Sequence, residues 1–323
     1  MAYKTENQAK ANFDNVYIQP TPHAYVKKMA LHGYQIGEQA RPYCLACARL
    51  LEERNGAAWP VQMLDVGCSY GMGSAFVKYG CSFDEIVAFF YSRAPKDLTS
   101  CSEVTRMWLN VTAPACDMRC VGLDSSSPAI RFGLNSGLLD AGIVCNLEET
   151  ATRPTPEDIE WFKSCNLLIS TGAIGYITEE TLSKVLPHLG KDHPADFGPI
   201  AVLTILRMFE TEPIFAAFKK AGLILKQVPD IRLLQRNFAD ETEKTEVRKL
   251  LRDKGLDTRD YEDHGTLFAD LYVAASTPKQ LTTLIHRMQK VQSRLSTTNI
   301  VSFIRRNDKV AKHDHLQGCV EVV

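Results

Sequence analysis

The sequence lacks an excess of charge of either sign: 37 Lys and Arg face 38 Asp and Glu in 323 residues, a formal net charge of −1. Near neutrality removes the electrostatic case for nucleic acid or an anionic membrane surface as a partner. The chain also lacks any run of about 18 apolar residues, so no segment reads as a membrane span. The stretch from Met1 to Gln8 is polar, without the apolar core of a secretory signal. Ten cysteines in such a chain read as reduced, mostly buried thiols, and the expected location is cytoplasmic. No second C-x-x-C and no His pair accompany Cys44-Leu-Ala-Cys47, so that pair reads as packing inside a helix, and no metal site is expected. The dinucleotide fingerprint is missing too. A G-x-G-x-x-G starting at Gly67 needs glycine where Ser69 and Met72 stand, and no G-K-[ST] follows to make a P-loop.

What is present is an ordinary globular composition, 45% hydrophobic and 23% charged, at a length suited to one large domain with additions or to two domains. From residue 61 onward, short continuous apolar runs alternate with helical patterns. The runs are Val61–Val66, Arg119–Asp124, Gly142–Cys145, Cys165–Ser170 and Pro199–Leu206. The helices follow at Ser74–Tyr79, Ser127–Leu139, Glu179–Leu189 and Glu212–Ala221. Continuous apolar strands alternating with helices indicate a parallel sheet buried on both faces. Two later strands, Leu223–Val228 and Leu267–Ala275, flank a charged, mostly helical stretch and suit an antiparallel edge. Tyr25–Leu31 and Ile36–Arg54 form helices ahead of the sheet, and Pro278–Leu295 forms one after it. The domain expectation is therefore an N-terminal helical cap over 1–57, a Rossmann-like domain over 58–276, and a C-terminal helix and tail over 277–323.

The segment Leu64-Asp-Val-Gly-Cys-Ser-Tyr-Gly71 carries the chemistry. A glycine turn after a buried strand lets a ligand approach the backbone and points a helix N-terminus at it. This D-x-G-x-x-x-G resembles the first motif of class I S-adenosylmethionine-dependent methyltransferases, although many members have glycine at the place of Ser69. The resemblance implies a Rossmann-like α/β fold with a seven-stranded sheet, mostly parallel with an antiparallel edge strand, and S-adenosylmethionine as substrate or methyl donor. It implies that Asp65, Gly67, Ser69 and Gly71 hold the methionyl part of the ligand. Asp124 and Ser125, after the second strand, meet the ribose. A carboxylate suits that task because it is acceptor-only and takes both hydroxyl protons. Asn146 meets the adenine, and Ser170 and Thr171 lie beside the reacting centre.

The wider pattern is narrower still. Ala40-Arg-Pro-Tyr43, Leu64-Asp-Val-Gly-Cys-Ser-Tyr-Gly71, Gly122-Leu-Asp-Ser-Ser-Ser-Pro-Ala129, Ser170-Thr-Gly-Ala-Ile-Gly-Tyr176 and Arg236-Asn-Phe-Ala-Asp240 look like blocks of methyltransferase-like proteins found with peptide natural-product pathways, a group that includes azetidine-2-carboxylate synthases. That resemblance implies intramolecular cyclisation of S-adenosylmethionine with release of methylthioadenosine. Tyr176 is then expected nearest the sulfonium, with Asn135 or Asn146 orienting the amine or adenine, and Tyr176, Asn135 and Ser170 as catalytic candidates. Arg207, just past the fifth strand, is a candidate for the substrate carboxylate or an ordinary ion pair. The histidines His188 and His264 are weak candidates for acid–base work. The alternatives are a small-molecule methyltransferase with an unknown acceptor and a non-catalytic protein that binds S-adenosylmethionine.

Three further expectations remain. Residues 81–119, inserted after the first sheet helix, form a helical lid over the ligand or a packing ornament. Tyr17, Tyr25, Tyr34 and Tyr43 form a wall over a ligand or pack as ordinary helix residues. Leu281, Leu284, Ile285, Met288, Val291 and Leu295 recur at helical spacing and pack on the sheet domain or make a homodimer interface. A small molecule is the only other partner expected.

Overall fold

The computed structural model describes residues 6, 8–11, 13–55, 60–194 and 198–295. The expected domain boundary near residue 57, Cys319 and the polar tail lie outside the described residues. Ahead of the sheet stand α1 (Asp14–Tyr17), α2 (His23–Leu31) and α3 (Ile36–Asn55). The sheet region then runs β1 (Val61–Val66), α4 (Met72–Val77), α5 (Phe83–Ser92), α6 (Leu98–Asn110), β2 (Met118–Asp124), α7 (Ser127–Ser136) and β3 (Ala141–Val144). It continues with α8 (Pro156–Ser164), β4 (Leu167–Ser170), α9 (Glu179–Val185), β5 (Ile200–Leu206), α10 (Glu212–Lys220), β6 (Ile224–Asn237), α11 (Glu241–Asp253) and β7 (Thr266–Ala275). A last helix covers 278–295.

Seven strands lie in the order β3-β2-β1-β4-β5-β7-β6. β1 to β5 are parallel neighbours, and β7 runs antiparallel to both β5 and β6. This is the class I methyltransferase sheet. The antiparallel strand sits second from the edge, between β5 and β6. The central strands β1, β4 and β5 are buried on both faces, which their uninterrupted apolar runs require. Every parallel strand ends at the same edge, so the turns after β1, β2, β3 and β4 collect there, where open α/β sheets bind ligands.

Two elements go beyond the sequence reading. Strand β6 runs 14 residues to Asn237, with register shifts between Gln227 and Arg232 and between Leu234 and Arg236. Asp230 takes a left-handed conformation (φ 60°) at the first irregularity. Charged residues over Lys226–Arg236 hide this strand in the sequence; an edge strand exposes one face and tolerates them. Helix α8 also went unread, although Thr155 and Asp158 form a reciprocal capping box at its start, with Pro156 at the first turn.

The insertion buttresses the N-terminal helices. Phe89 of α5 stacks on Trp108 of α6 with ring centroids 4.4 Å apart, and Phe90 meets His23 at the start of α2 edge to face. Arg41 of α3 donates to the Gly80 carbonyl at 2.5 Å, and the Phe83 amide donates to Glu38 of α3 at 2.9 Å. On the C-terminal helix, Leu281, Leu284 and Met288 are buried. Arg287 pairs with Glu53 of α3 at 3.0 Å, and the Tyr43 hydroxyl of α3 donates to Gln292. Of the six residues expected on the apolar face, Leu281, Leu284 and Met288 are thus buried, Ile285 and Val291 are half-buried, and Leu295 is exposed. The thiols of Cys44 and Cys47 are fully buried on α3, and burial pushes Cys44 up to about 12.

Candidate ligand site at the sheet edge

The turn after β1 is built for close approach. Gly67 has φ 77°, and a side chain there would meet the Ala173 methyl group at 2.5 Å. Only glycine satisfies both constraints. Ser69 also sits in the left-handed region (φ 51°), an uncommon conformation for a residue with a Cβ. Two bonds hold this turn: the Gly67 amide donates to the Leu123 carbonyl at 2.8 Å, and the Ser69 amide donates to Asp124 Oδ2 at 2.8 Å.

A cavity of about 320 Å³ opens at this edge, within the range of small-molecule sites. Its floor includes Asp65, Gly67 and Ser69 after β1, Asp124 and Ser125 after β2, Asn146 after β3, and Thr171 and Tyr176 after β4. Eight residues singled out from the sequence therefore share one cavity. The two acids differ in their surroundings. Asp124 is held by the Ser69 amide on Oδ2 and by the Ser126 amide on Oδ1, both at 2.8 Å. Burial raises its carboxyl, and the amides of Ser126, Ser69 and Ser125 oppose that rise. Asp65 is more deeply buried, and its Oδ2 has no hydrogen-bond partner. Burial first, and the charge of Asp124 second, push its carboxyl up to about 7, against an opposing effect of the Gly73 amide.

The roof comes from the N-terminal segment. Phe13, Tyr17 and Ile18, with Tyr25 and Met29 of α2 and Tyr34, line the cavity. Tyr43 does not; it faces the C-terminal helix. The tyrosine wall is thus real for three of its four members. Burial raises the Tyr17, Tyr25 and Tyr34 phenols, so they stay neutral donors at physiological pH. The ligand-site turns hold this roof down. The Tyr70 hydroxyl reaches the carbonyls of Val16 and Gln19 at 2.9 and 2.8 Å, and Ser126 Oγ donates to the Tyr17 carbonyl at 2.5 Å. Further along, the Ala11 amide donates to Glu243 Oε1 at 2.8 Å.

Several expectations need correction. No residue of the 81–119 insertion lines the cavity; it supports the roof from behind and does not cover the ligand edge. Asn135 is exposed on α7 away from the cavity, where its carbonyl accepts from Arg106. Ser170 is fully buried and donates to the Val66 carbonyl at 2.9 Å, tying β4 to β1. Gly71 does not line the cavity either; it is the left-handed N-cap of α4 (φ 84°) and faces Leu138 and Leu139. Arg207 is buried elsewhere, donating to Glu262 at 2.6 Å and to the Asp257 carbonyl at 2.7 Å. His264 is exposed in the turn before β7.

Sequence reasoning missed Lys10, Glu148, Gln235 and Arg236, all of which line the cavity. Lys10 places its ammonium 4.1 Å from the centroid of the Tyr176 ring. Glu148 accepts from the Thr178 amide (2.8 Å) and from the hydroxyls of Thr178 and Thr181 (2.7 and 2.6 Å), fixing the Tyr176 loop. Arg236 is almost fully buried and forks onto both oxygens of Glu243, at 2.8 and 2.5 Å. The Arg236–Asp240 block carried the only signal for these two residues, and the unexpected length of β6 delivers it to the cavity.

No family model matches the sequence, and no curated protein matches it. Among solved structures, the chain is similar to the plantazolicin methyltransferase BamL in complex with a triazolic desmethylPZN analog and SAH (12% identity, 85% of this chain, 97% of that one, TM-score 0.37). It is similar to a SAM-dependent methyltransferase from Geobacter sulfurreducens in complex with S-adenosyl-L-homocysteine (12%, 80% and 99%, 0.33). A TehB-like SAM-dependent methyltransferase from Corynebacterium glutamicum gives 13% identity, 70% and 86% coverage, and a TM-score of 0.32. Likeness at these TM-scores adds no weight; the fold rests on the strand order, and that order is the one found in the class I methyltransferases.

Proposed function

We propose that this protein is an enzyme whose substrate is S-adenosylmethionine, and that it cyclises that substrate to azetidine-2-carboxylate. The observation that carries the ligand is the pair of acids on the cavity floor. Asp124, preset by two backbone amides, keeps lone pairs for the two ribose hydroxyls. Asp65, buried beside it and lining the same cavity, suits a positively charged partner, and the α-ammonium of the methionyl chain supplies one. Asn146 and Leu147 then border the adenine, and the tyrosine roof covers the sulfonium. Tyr176 lines the same cavity and offers an aromatic ring suited to a cation.

The cyclisation reading draws on the chemistry this cavity favours. A sulfonium is a good leaving group, so the barrier lies in folding the chain until nitrogen stands behind Cγ and in excluding water. A cavity of one nucleoside's dimensions, roofed by neutral phenols that are held in place by Tyr70 and Ser126, supplies those two things. The α-nitrogen attacks Cγ, the Cγ–S bond breaks, and its electron pair leaves with methylthioadenosine.

Incubation of the purified protein with S-adenosylmethionine alone, followed by mass spectrometry, tests the reading. Methylthioadenosine plus a four-carbon cyclic amino acid is the expected result. S-adenosylhomocysteine formed only with an added acceptor would make it a methyltransferase, and tight binding without turnover in either setting would make it a non-catalytic binder.

A further inference from the structure

We propose that Asp65 is a catalytic base as well as the partner of the substrate amino group: its carboxylate takes the proton from the α-ammonium and frees the nitrogen lone pair for attack. This rests on the cyclisation reading above. The geometry sets Asp65 apart from its neighbour. Asp124 has both oxygens occupied by backbone amides, which stabilise the charged form. Asp65, at the end of β1, lines the same cavity; its Oδ2 is closed off from solvent against Gly73, whose amide is the single backbone donor that favours its charged form. Gly73 is packed so tightly against that oxygen that any side chain there would collide with it. A carboxylate held in this way gains more from receiving a proton than one solvated by donors.

After burial, Asp124 at the end of β2 raises the Asp65 carboxyl and the Gly73 amide opposes the rise, while Asp65 in turn adds to the burial that raises Tyr25 of α2, Tyr34, Cys44 of α3, Cys68 in the turn and Cys120 of β2. The phenols and thiols are all raised by burial and are neutral at physiological pH. The cations lining the cavity are engaged elsewhere, Lys10 over Tyr176 and Arg236 on Glu243. The incoming ammonium is therefore the charge that Asp65 answers. An acid near 7 facing an amine of about 7.7–8.0 makes the transfer close to balanced, the condition under which a base is most effective. The proton goes to Asp65, the lone pair forms the N–Cγ bond, and the ring nitrogen ends with two hydrogens and a positive charge. Asp65 returns its proton to solvent when the products leave.

The test is Asp65→Asn, with substrate affinity by calorimetry and methylthioadenosine formation at saturating substrate from pH 6 to 9. The wild-type rate should rise with pH to a plateau. The variant should lose on the order of 10²–10⁴-fold at pH 7 at saturation and recover in part toward pH 9, as free amine becomes available without help. A variant that matches the wild type at saturation and differs only in KM overturns the base and leaves the cyclisation standing. A wild-type protein that releases no methylthioadenosine overturns the cyclisation and the base together. Should the variant not fold, difference infrared spectra of the wild type at pH 8 decide the matter. S-adenosylhomocysteine, which carries the amine, should change the Asp65 carboxyl bands as the proton is shared between the two groups, whereas methylthioadenosine, which lacks it, should not. Absence of that change with both ligands overturns the proposal.

Discussion

Two aspartates on neighbouring strand ends have opposite characters, and each difference is measurable. Asp124 is preset to accept hydrogen bonds, so Asp124→Ala should weaken nucleoside binding by about 1.5–3 kcal/mol for each charged bond lost. Calorimetry with S-adenosylhomocysteine reads this directly, and unchanged affinity would dismiss the ribose assignment. Asp65 carries a stability cost. Its folded carboxyl lies near 7, above the ordinary value of 3.8, so between those values the native state holds the proton more tightly than the unfolded chain. Its contribution is fully present below about pH 4 and is lost as pH rises through 7. Asp65→Asn should therefore raise the melting temperature of the ligand-free protein at pH 8, with the gain shrinking toward pH 4. A gain independent of pH would mean that the carboxylate is not the source. Gly73→Ala probes the same contact from the other side, because a methyl group there displaces Asp65. Turnover should fall while the fold, followed by circular dichroism, is retained.

At the scale of elements, the N-terminal segment and not the insertion covers the cavity. The sequence allowed either, since an excursion after the first sheet helix rejoins near the ligand edge in both cases. What decided the matter was side-chain hydrogen bonding across distant parts of the chain, which no local pattern encodes. Tyr70 sits inside the glycine-rich motif, yet its hydroxyl serves the roof and not the ligand. Tyr70→Phe removes the one hydroxyl proton shared between two backbone carbonyls, and at about 1 kcal/mol net it should loosen the roof. Amide hydrogen exchange over residues 13–20 should speed up while β1 and β4 stay protected. Glu243→Gln acts on the outer latch. It leaves the Arg236 guanidinium buried without its charge partner, a change that costs about 3–5 kcal/mol in comparable settings. A melting temperature close to wild type would show that solvent reaches Arg236.

Across the whole molecule, the sheet was legible because strands buried on both faces must be mostly apolar, and residues 63–64, 120–123, 167–169 and 200–203 are. The site was legible where it depends on backbone: Gly67, Asp65, Asp124, Asn146 and Thr171 each follow a strand, and parallel strands bring their ends together. It was illegible where the chain must cross the sheet. Arg236 reaches the cavity only because β6 runs on past two irregularities, and Lys10 only because the N-terminus folds back. Asn135 and Ser170 misled because proximity in sequence to a motif says nothing about the face on which a side chain lands. The C-terminal helix shows the same lesson, since Leu281, Leu284 and Met288 are buried while Arg287 and Gln292 bond to α3. Leu284→Ala should cost about 2–5 kcal/mol of stability by leaving a cavity. Sedimentation should be unaltered, and a change of oligomeric state would point to an interface instead.

The roof also has a consequence for synthesis. Ala11 and its anchor Glu243 are 232 positions apart, so Ala11 leaves the ribosome well before the residue that fixes it. At elongation rates of about 5–20 residues per second, that delay is on the order of ten to fifty seconds. During it the nascent sheet edge stands uncovered, and a nucleoside present in the cell meets an open floor before the lid is ever fastened.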